Sequence, residues 1–366
     1  MGINSRLNNK IKLKHMNMLA KYRKKLRKKP QLHSLFIEMT GLCNEHCRHC
    51  GSSCGDFEVK NLLSGDEIRE VLDTVAEDFD ISKVQLAVTG GEPLLRPDFF
   101  EIMEYAKNKG FRWGMTSNGI LITPEVASKL RKAGMGTVSI SLDGLEQSHD
   151  WFRQVEGSYR KTVAGIKNLI NEGGFKHIQI TTVIHKKNID ELPLMYETFR
   201  QIGVRSWRVI NIEPIGRAKL MPELLLSADE YKRMFDFIEM MRYKDKSFEV
   251  TYGCSHYLGV ERERESRPWY FLCNAGVYTA SIMYNGDVGA CLDIERRPET
   301  IQGNIRERRF SDIWNNEFKI FRTDYRKCGE CKNCKEYKFC AGESYHTWDF
   351  DEMKPQICMK KLIEKD

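Results

Sequence analysis

Cys43, Cys47 and Cys50 are spaced C-x3-C-x2-C in the stretch Cys43-Asn44-Glu45-His46-Cys47-Arg48-His49-Cys50. Three thiolates this close in sequence can hold three irons of a [4Fe–4S] cube, leaving the fourth iron open to a substrate or cofactor. Zinc is the competing reading. A structural zinc takes four protein ligands, and Cys54, His46 or His49 could complete such a set. A second group lies toward the other end: Cys273 and Cys291, then Cys328, Cys331, Cys334, Cys340 and Cys358, with Cys254 upstream. Of the 12 cysteines, four fall between positions 43 and 54, and none lies between 54 and 254. In a reducing cytoplasm this distribution points to metal binding or redox catalysis rather than to a disulfide framework.

The elements that must position these groups are legible from about residue 34 to residue 212. Short β-branched, apolar runs mark strands at Leu35–Thr40, Val84–Thr89, Arg112–Ser117, Thr137–Leu142, Ile178–Ile184 and Trp207–Ile212. Amphipathic helices alternate with them. Ser64 and Glu67 make a capping box ahead of Ile68, Val71, Leu72, Val75 and Phe79. Thr123-Pro124 opens another helix that Gly134 closes, and Asn188 with Glu191 introduces a third. Strands alternating with helices call for a parallel sheet with right-handed crossovers, and six units make a partial barrel. The expected fold is α/β: a partial (β/α)6 barrel with a smaller C-terminal cysteine-rich domain. Chemistry then belongs at the C-terminal ends of the strands, and Cys43–Cys50 directly follows the first.

Regular alternation is expected to end near Leu220, after which Ser227 and Glu230 cap one more helix and a highly charged run, Glu261–Arg267, leads into the cysteine-rich tail. The chain of 366 residues then divides into a basic N-terminal arm (1–33), the barrel (34–220), a linker helix region (221–254) and the auxiliary domain (255–366). A hydrophobic fraction of 41% and a charged fraction of 30% describe an ordinary soluble protein. No apolar run approaches the ~20 residues needed to span a bilayer, and no secretory signal is present, so a cytoplasmic location is expected. The formal net charge is +7, and the first thirty residues contain no Asp or Glu. We read this arm as a solvated helix docked through Leu13, Met16, Met18 and Leu19, or secondly as a surface for an acidic peptide; no nucleic-acid partner is expected.

The cysteine motif resembles the signature of radical S-adenosylmethionine (SAM) enzymes, and the likeness extends along the chain. Gly90-Gly91-Glu92-Pro93 is similar to the family's motif that receives the SAM amino group. Thr116-Ser117-Asn118-Gly119 resembles the stretch that approaches the ribose. Ser139-Ile140-Ser141-Leu142-Asp143-Gly144, with His149-Asp150 and Arg153, resembles a segment of peptide-modifying members, which implies that Ser141 and Arg153 hold the SAM carboxylate. Glu213-Pro214-Ile215-Gly216-Arg217-Ala218 looks like that subgroup's last barrel strand. Where an aromatic residue is usual, His49 stands instead, and its imidazole can lie against an adenine. Each motif alone is an ordinary turn signal, but four at successive strand ends behind the cysteines are not coincidence.

The tail resembles the SPASM domain, which holds two auxiliary clusters. The likeness implies that Cys331, Cys334, Cys340 and Cys358 ligate the outer cluster and that Cys273 and Cys291 contribute to the inner one. Ser344 occupies a position where the pattern has cysteine, leaving Cys328 or Cys254 to complete the inner set. The implied cofactors are a SAM-binding [4Fe–4S] cluster, SAM, and one or two auxiliary iron–sulfur clusters, with a low-potential donor such as flavodoxin or ferredoxin as redox partner. The implied activity is reductive SAM cleavage followed by hydrogen abstraction from a ribosomally made peptide or protein. The alternatives are a small-molecule or cofactor precursor as substrate, or a non-enzymatic iron–sulfur or zinc protein. The segments "MGINSRL", "HCGSSC" and "CKNCKEYKFCAGESYHTWD" are similar to a subgroup associated with small lipoproteins. Leu292, after Cys291, argues against sulfatase maturation, because maturases carry an acidic residue there.

Overall fold

The computed structural model describes residues 8–56 and 58–364. Helix α1 (Asn9–Lys28) precedes β1 (Ser34–Glu38), α2 (Gly65–Asp78), β2 (Gln85–Thr89), α3 (Phe99–Asn108), β3 (Arg112–Ser117), α4 (Pro124–Lys132) and β4 (Met135–Ser141). The helix pair α5 (Glu146–Arg153) and α6 (Ser158–Glu172) leads to β5 (His177–Ile184), α7 (Leu192–Ile202) and β6 (Ser206–Asn211). The first six strands are parallel neighbours in chain order. Leu86, Val88, Met115, Val138, Ile140 and Ile180 are buried in one continuous core with the helices. Each such side chain, fully buried, contributes about 1.5–3 kcal/mol.

The capping box at the start of α2 is present: Glu67 N donates to Ser64 Oγ (3.1 Å) and Ser64 N donates to the Glu67 carboxylate (2.7 Å). Asn188 and Glu191 do something else. Asn188 Nδ2 donates to the carbonyls of Asp143 and Val183, and the Glu191 carboxylate accepts from Leu145 N and Ser148 Oγ. They tie the loops after β4 and β5 together rather than cap α7.

Alternation does not stop at Leu220. Helix α8 (Ala228–Lys244), with its Ser227–Glu230 capping box, is followed by β7 (Glu249–Tyr252), which pairs in parallel with β6. At the opposite edge, β8 (Thr279–Ile282) from the C-terminal region pairs in parallel with β1, and β9 (Asp287–Gly289) and β10 (Gly303–Asn304) continue from it antiparallel. The result is one open sheet of ten strands, ordered β10-β9-β8-β1-β2-β3-β4-β5-β6-β7. The cysteine-rich region is thus sewn to the barrel through its first strand.

Helix α1 packs on the C-terminal region through part of the expected set, Met16 with the half-buried Leu19, joined by Leu26 and Lys12. Met16, Leu26 and Lys12 are buried, while Leu13 and Met18 are exposed. Lys12 Nζ is 2.6 Å from Glu265 Oε1, and Arg23 donates to the carbonyls of Phe339 and Lys338. The charged run 261–267 is likewise turned inward: Glu263, Glu265, Ser266 and Arg267 are buried, with Arg267 and Glu263 paired at 2.8 Å. Among the described residues no helix is long and apolar enough to cross a membrane.

Candidate active site at the strand ends

The loop after β1 carries Cys43, Cys47, Cys50 and Cys54, and the loop after β2 lies directly on it. Gly91 N donates to Thr40 O and Glu92 N to Leu42 O, both at 2.8 Å. A Cβ at Gly91 would fall 2.0 Å from Leu42 O and 3.0 Å from Cβ of Cys43. Gly90 has φ +153°, and its Cβ would meet Thr40 O at 2.5 Å. The glycine pair is therefore required by backbone contact with the cysteine loop. Glu92 is fully buried; its carboxylate accepts from Ser117 Oγ (3.0 Å), Asn118 N (2.9 Å) and Leu94 N (3.3 Å). Burial pushes its pKa up to about 7, against the pull of these hydrogen bonds. Asn118 Nδ2 in turn donates to Asn44 Oδ1 at 2.6 Å. Glu92, Pro93, Ser117 and Asn118 thus form one buried junction beneath the cysteines.

Arg153, at the end of α5, is a buried hub. Its Nε donates to Asp143 Oδ2 (2.7 Å), and its Nη1 to Glu45 Oε2 (3.2 Å) and to the sulfur of Cys47 (3.4 Å); Nη2 also pairs with Asp143. Burial opposes its charge, but Asp143, Cys47 and Glu45 outweigh that and raise its pKa well above the ordinary arginine value. Ser158 Oγ donates to Glu45 Oε1 at 2.5 Å and lies 3.1 Å from His149 Nε2, while His149 Nδ1 accepts from Asp143 N. A closed network therefore locks the loop after β4 to the cysteine loop. Glu45 and Ser158 were not singled out from sequence, because nothing local marks a carboxylate whose partner lies 108 residues away. Ser141 ends β4, half-buried, opposite Thr181 of β5.

The segment 213–218 lies beyond β6 rather than in it, as a loop and a 3-10 turn (Gly216–Leu220). It clamps the cysteine loop from the other side. Arg217 Nε donates to Cys47 O (2.7 Å), its Nη1 to Cys54 O (2.9 Å), and its backbone N to Cys50 O (3.1 Å). Gly216, at φ +50°, allows the approach: a Cβ there would lie 2.2 Å from Cys50 O. His49 stacks on Phe152 (4.3 Å, 3°), which also meets His185, so one face of its imidazole is already covered. Burial raises Cys43 to about 11 and Cys47 to about 12, whereas a hydrogen bond from Cys54 lowers Cys50 to about 6.

In the C-terminal region, Cys358, Cys334 and Cys328 all act electrostatically on Cys331, and Cys358 acts on Cys340. Cys291 has Cys273 as its cysteine neighbour, and its Sγ lies 3.9 Å from Asp293 Oδ2. Cys328 therefore sits among the outer set, with its thiol donating to Met353 O at 3.5 Å. Cys254 turns its thiol to Asn211 O (3.9 Å), and the buried Ser344 hydroxyl donates to Ser255 O. Cys340 packs with Cys273 around Phe271 and Tyr257, so it stands between the two groups.

A cavity of about 460 Å³ opens beside the cysteine loop, bounded by Ser53, Ile215, Tyr284, Asp293, Arg296 and His346. It lies between the strand-end loops and the cysteine-rich region, where a substrate would meet both.

The profile of the radical SAM superfamily matches residues 37–199, and that of the SPASM iron–sulfur cluster-binding domain matches residues 273–335. The chain belongs to the radical SAM superfamily and carries a SPASM domain. It is 31% identical over 322 residues to the AdoMet-dependent heme synthase of Methanosarcina barkeri, covering 83% of this chain and 89% of that one. It is 29% identical over 311 residues to the mycofactocin maturase MftC of Mycolicibacterium smegmatis, covering 83% and 76%. The fold is similar to that of Streptococcus suis SuiB bound to the precursor peptide SuiA, with a TM-score of 0.68 at 18% identity over 100% of this chain and 83% of that one. SAM, a [4Fe–4S] cluster and auxiliary iron–sulfur clusters are therefore its cofactors. The residues present fit that equipment: three thiols on one loop, a buried guanidinium at 3.4 Å to offset thiolate charge, and glycines where a second loop must approach.

Proposed function

We propose that this radical SAM enzyme modifies a ribosomally made peptide or protein, with a small lipoprotein as the candidate substrate. Cys43, Cys47 and Cys50 hold the SAM-binding cluster; Cys331, Cys334, Cys340 and Cys358 the outer auxiliary cluster, with Cys328 beside them; and Cys273 and Cys291 part of the inner one. When bound, the first cluster supplies the electron that cleaves SAM and so generates the hydrogen-abstracting 5′-deoxyadenosyl radical. The protein's own part is positional. Arg217 and Gly216 fix the cysteine loop by its carbonyls. Gly90–Pro93, Ser117 and Asn118 close its underside. Arg153 pairs with Glu45 and Asp143 and leaves one Nη2 hydrogen, which with Ser141 serves the SAM carboxylate. A flavodoxin- or ferredoxin-type donor supplies the electron.

The observation that carries the peptide reading is α1. Lys10, Lys14, Lys21, Lys24, Lys25 and Lys28 stand on a helix free of acidic residues, docked against the cysteine-rich region, and all but Lys12 of its lysines are solvent-facing. Such a surface complements an acidic leader segment. The peptide bound to SuiB and the maturase relative support it. A second reading, a tetrapyrrole precursor, is favoured by 31% identity to the heme synthase. The test is anaerobic turnover with SAM and reductant, offering in turn peptides encoded by any short reading frames beside the gene and iron-containing tetrapyrrole precursors of heme. A mass change in the peptide, with matching 5′-deoxyadenosine, is expected; a mass change in the tetrapyrrole with none in the peptide would decide for the second reading.

A further inference from the structure

One cluster of metal-ligating side chains stands outside the cysteine sets. Glu213 follows β6, His256 follows β7, and His346 lies in the cysteine-rich tail, so three distant segments converge on one point. His256 Nε2 lies 2.7 Å from Glu213 Oε1, and His346 Nε2 lies 2.5 Å from Glu213 Oε2. One ligating atom from each residue falls within 4.8 Å of the others. His256 is wholly buried, and the Glu213 and His346 side chains are 7% and 13% exposed.

The surroundings are those of a built site. Behind His256, its Nδ1 is 3.2 Å from Glu343 Oε2, and that carboxylate is itself fixed by accepting from Tyr257 N at 3.0 Å. A carboxylate behind an imidazole sets the tautomer and aims the other ring nitrogen, as in the outer shell of metal-bound histidines. Glu343 Oε1 is buried without a hydrogen-bond partner among the described residues. Two carboxylates held beside two imidazoles in a region shielded from water require compensating positive charge, which a divalent cation bound by the three ligands would supply. His346 also forms part of the wall of the 460 Å³ cavity beside the cysteine loop, so the cluster borders that cavity. Two imidazoles and one carboxylate with vacant positions are a donor set for first-row divalent ions.

We infer that Glu213, His256 and His346 form a binding site for one divalent transition-metal cation, distinct from the iron–sulfur clusters and bordering the cavity. Glu343 is a positioning residue for it. Nothing in this inference depends on whether the substrate is a peptide or a small molecule.

The test uses holoprotein with its iron–sulfur clusters reconstituted, dialysed to equilibrium against Zn²⁺ and, separately, Mn²⁺, with bound metal counted by plasma mass spectrometry. Zinc adventitiously held by cysteines is common to all variants and cancels in the comparison. Wild type retains one equivalent more than His346→Gln, whose amide can still donate to Glu213 but offers no imidazole. Glu343→Gln keeps all three ligands and binds about 10–100-fold more weakly. Iron content and circular dichroism check that each variant keeps its clusters and fold; if His346→Gln loses either, Glu343→Gln carries the comparison. Equal retention of both metals by wild type and an intact variant overturns the site and leaves the cluster a buried ion-pair network.

Discussion

The guanidinium of Arg153 lies 3.4 Å from the sulfur of Cys47 and at the same time holds the carboxylates of Asp143 and Glu45. It therefore joins the loop after β4 to the cysteine loop after β1 by charge, in a place closed to water. Removing one partner of such a set strands the others.

Arg153→Ala should accordingly do two things. Asp143 and Glu45 lose their common partner, and the fold loses about 3–5 kcal/mol, read as a shift in denaturant midpoint. SAM affinity falls as well if the remaining Nη2 hydrogen serves the SAM carboxylate. Arg153→Lys, which restores the charge but not the fork, should recover part of the stability and little of the affinity. A variant of wild-type stability would contradict the buried network.

Glu92 gives a pH signature. Its folded pKa is raised to about 7 by burial, above the unfolded value of 4.5, so the folded state favours its protonated form. Its contribution is fully present below the unfolded pKa and is lost as pH rises toward 7. The cost of ionising it reaches on the order of 3 kcal/mol. Glu92→Gln mimics the protonated form. Wild type should therefore lose stability relative to this variant as pH rises from 4.5 to about 7, and parallel stability profiles would refute the shift.

Gly91→Ala places a methyl group 2.0 Å from Leu42 O. The obstacle is backbone, so the cysteine loop itself must move. We expect a loss of about 1–3 kcal/mol and of the SAM-binding cluster, on the order of four irons per chain, with the C-terminal iron retained. Full iron content in this variant would mean that the two loops can part without harm.

Much of this site was legible because its markers are local. Strand ends, the paired glycines and the cysteine spacing each declare themselves within a few residues, and the six strands fall within about two residues of their expected bounds. What was not legible depends on distant partners. Glu45 meets Ser158 and Arg153 only in the folded chain, and Arg217 reaches Cys47 across 170 residues. The charged run 261–267 shows only its charge in the sequence, whereas in the fold Glu263 and Arg267 satisfy each other inside the protein and Glu265 is satisfied by Lys12 of α1. The pairing of β8 with β1 is invisible for the same reason: Thr279–Ile282 is too short to announce itself.

The basic helix cannot be tested by deletion, because Met16, Leu26 and Lys12 are buried against the C-terminal region. Replacing Lys10, Lys14, Lys21, Lys24 and Lys25 by Gln leaves those contacts in place. If α1 recruits an acidic leader, this variant should bind the precursor more weakly and with a shallower salt dependence, measured by anisotropy between low and physiological salt. Unchanged binding would confine α1 to a structural role.

The claim on which the rest depends is that Cys43, Cys47 and Cys50 support reductive SAM cleavage. Anaerobically reconstituted protein, given SAM and a low-potential reductant, is assayed for 5′-deoxyadenosine beside the variant with all three cysteines replaced by Ala. Wild type should produce 5′-deoxyadenosine, and the triple variant none, while keeping its C-terminal iron. Turnover by the triple variant equal to wild type would contradict the account.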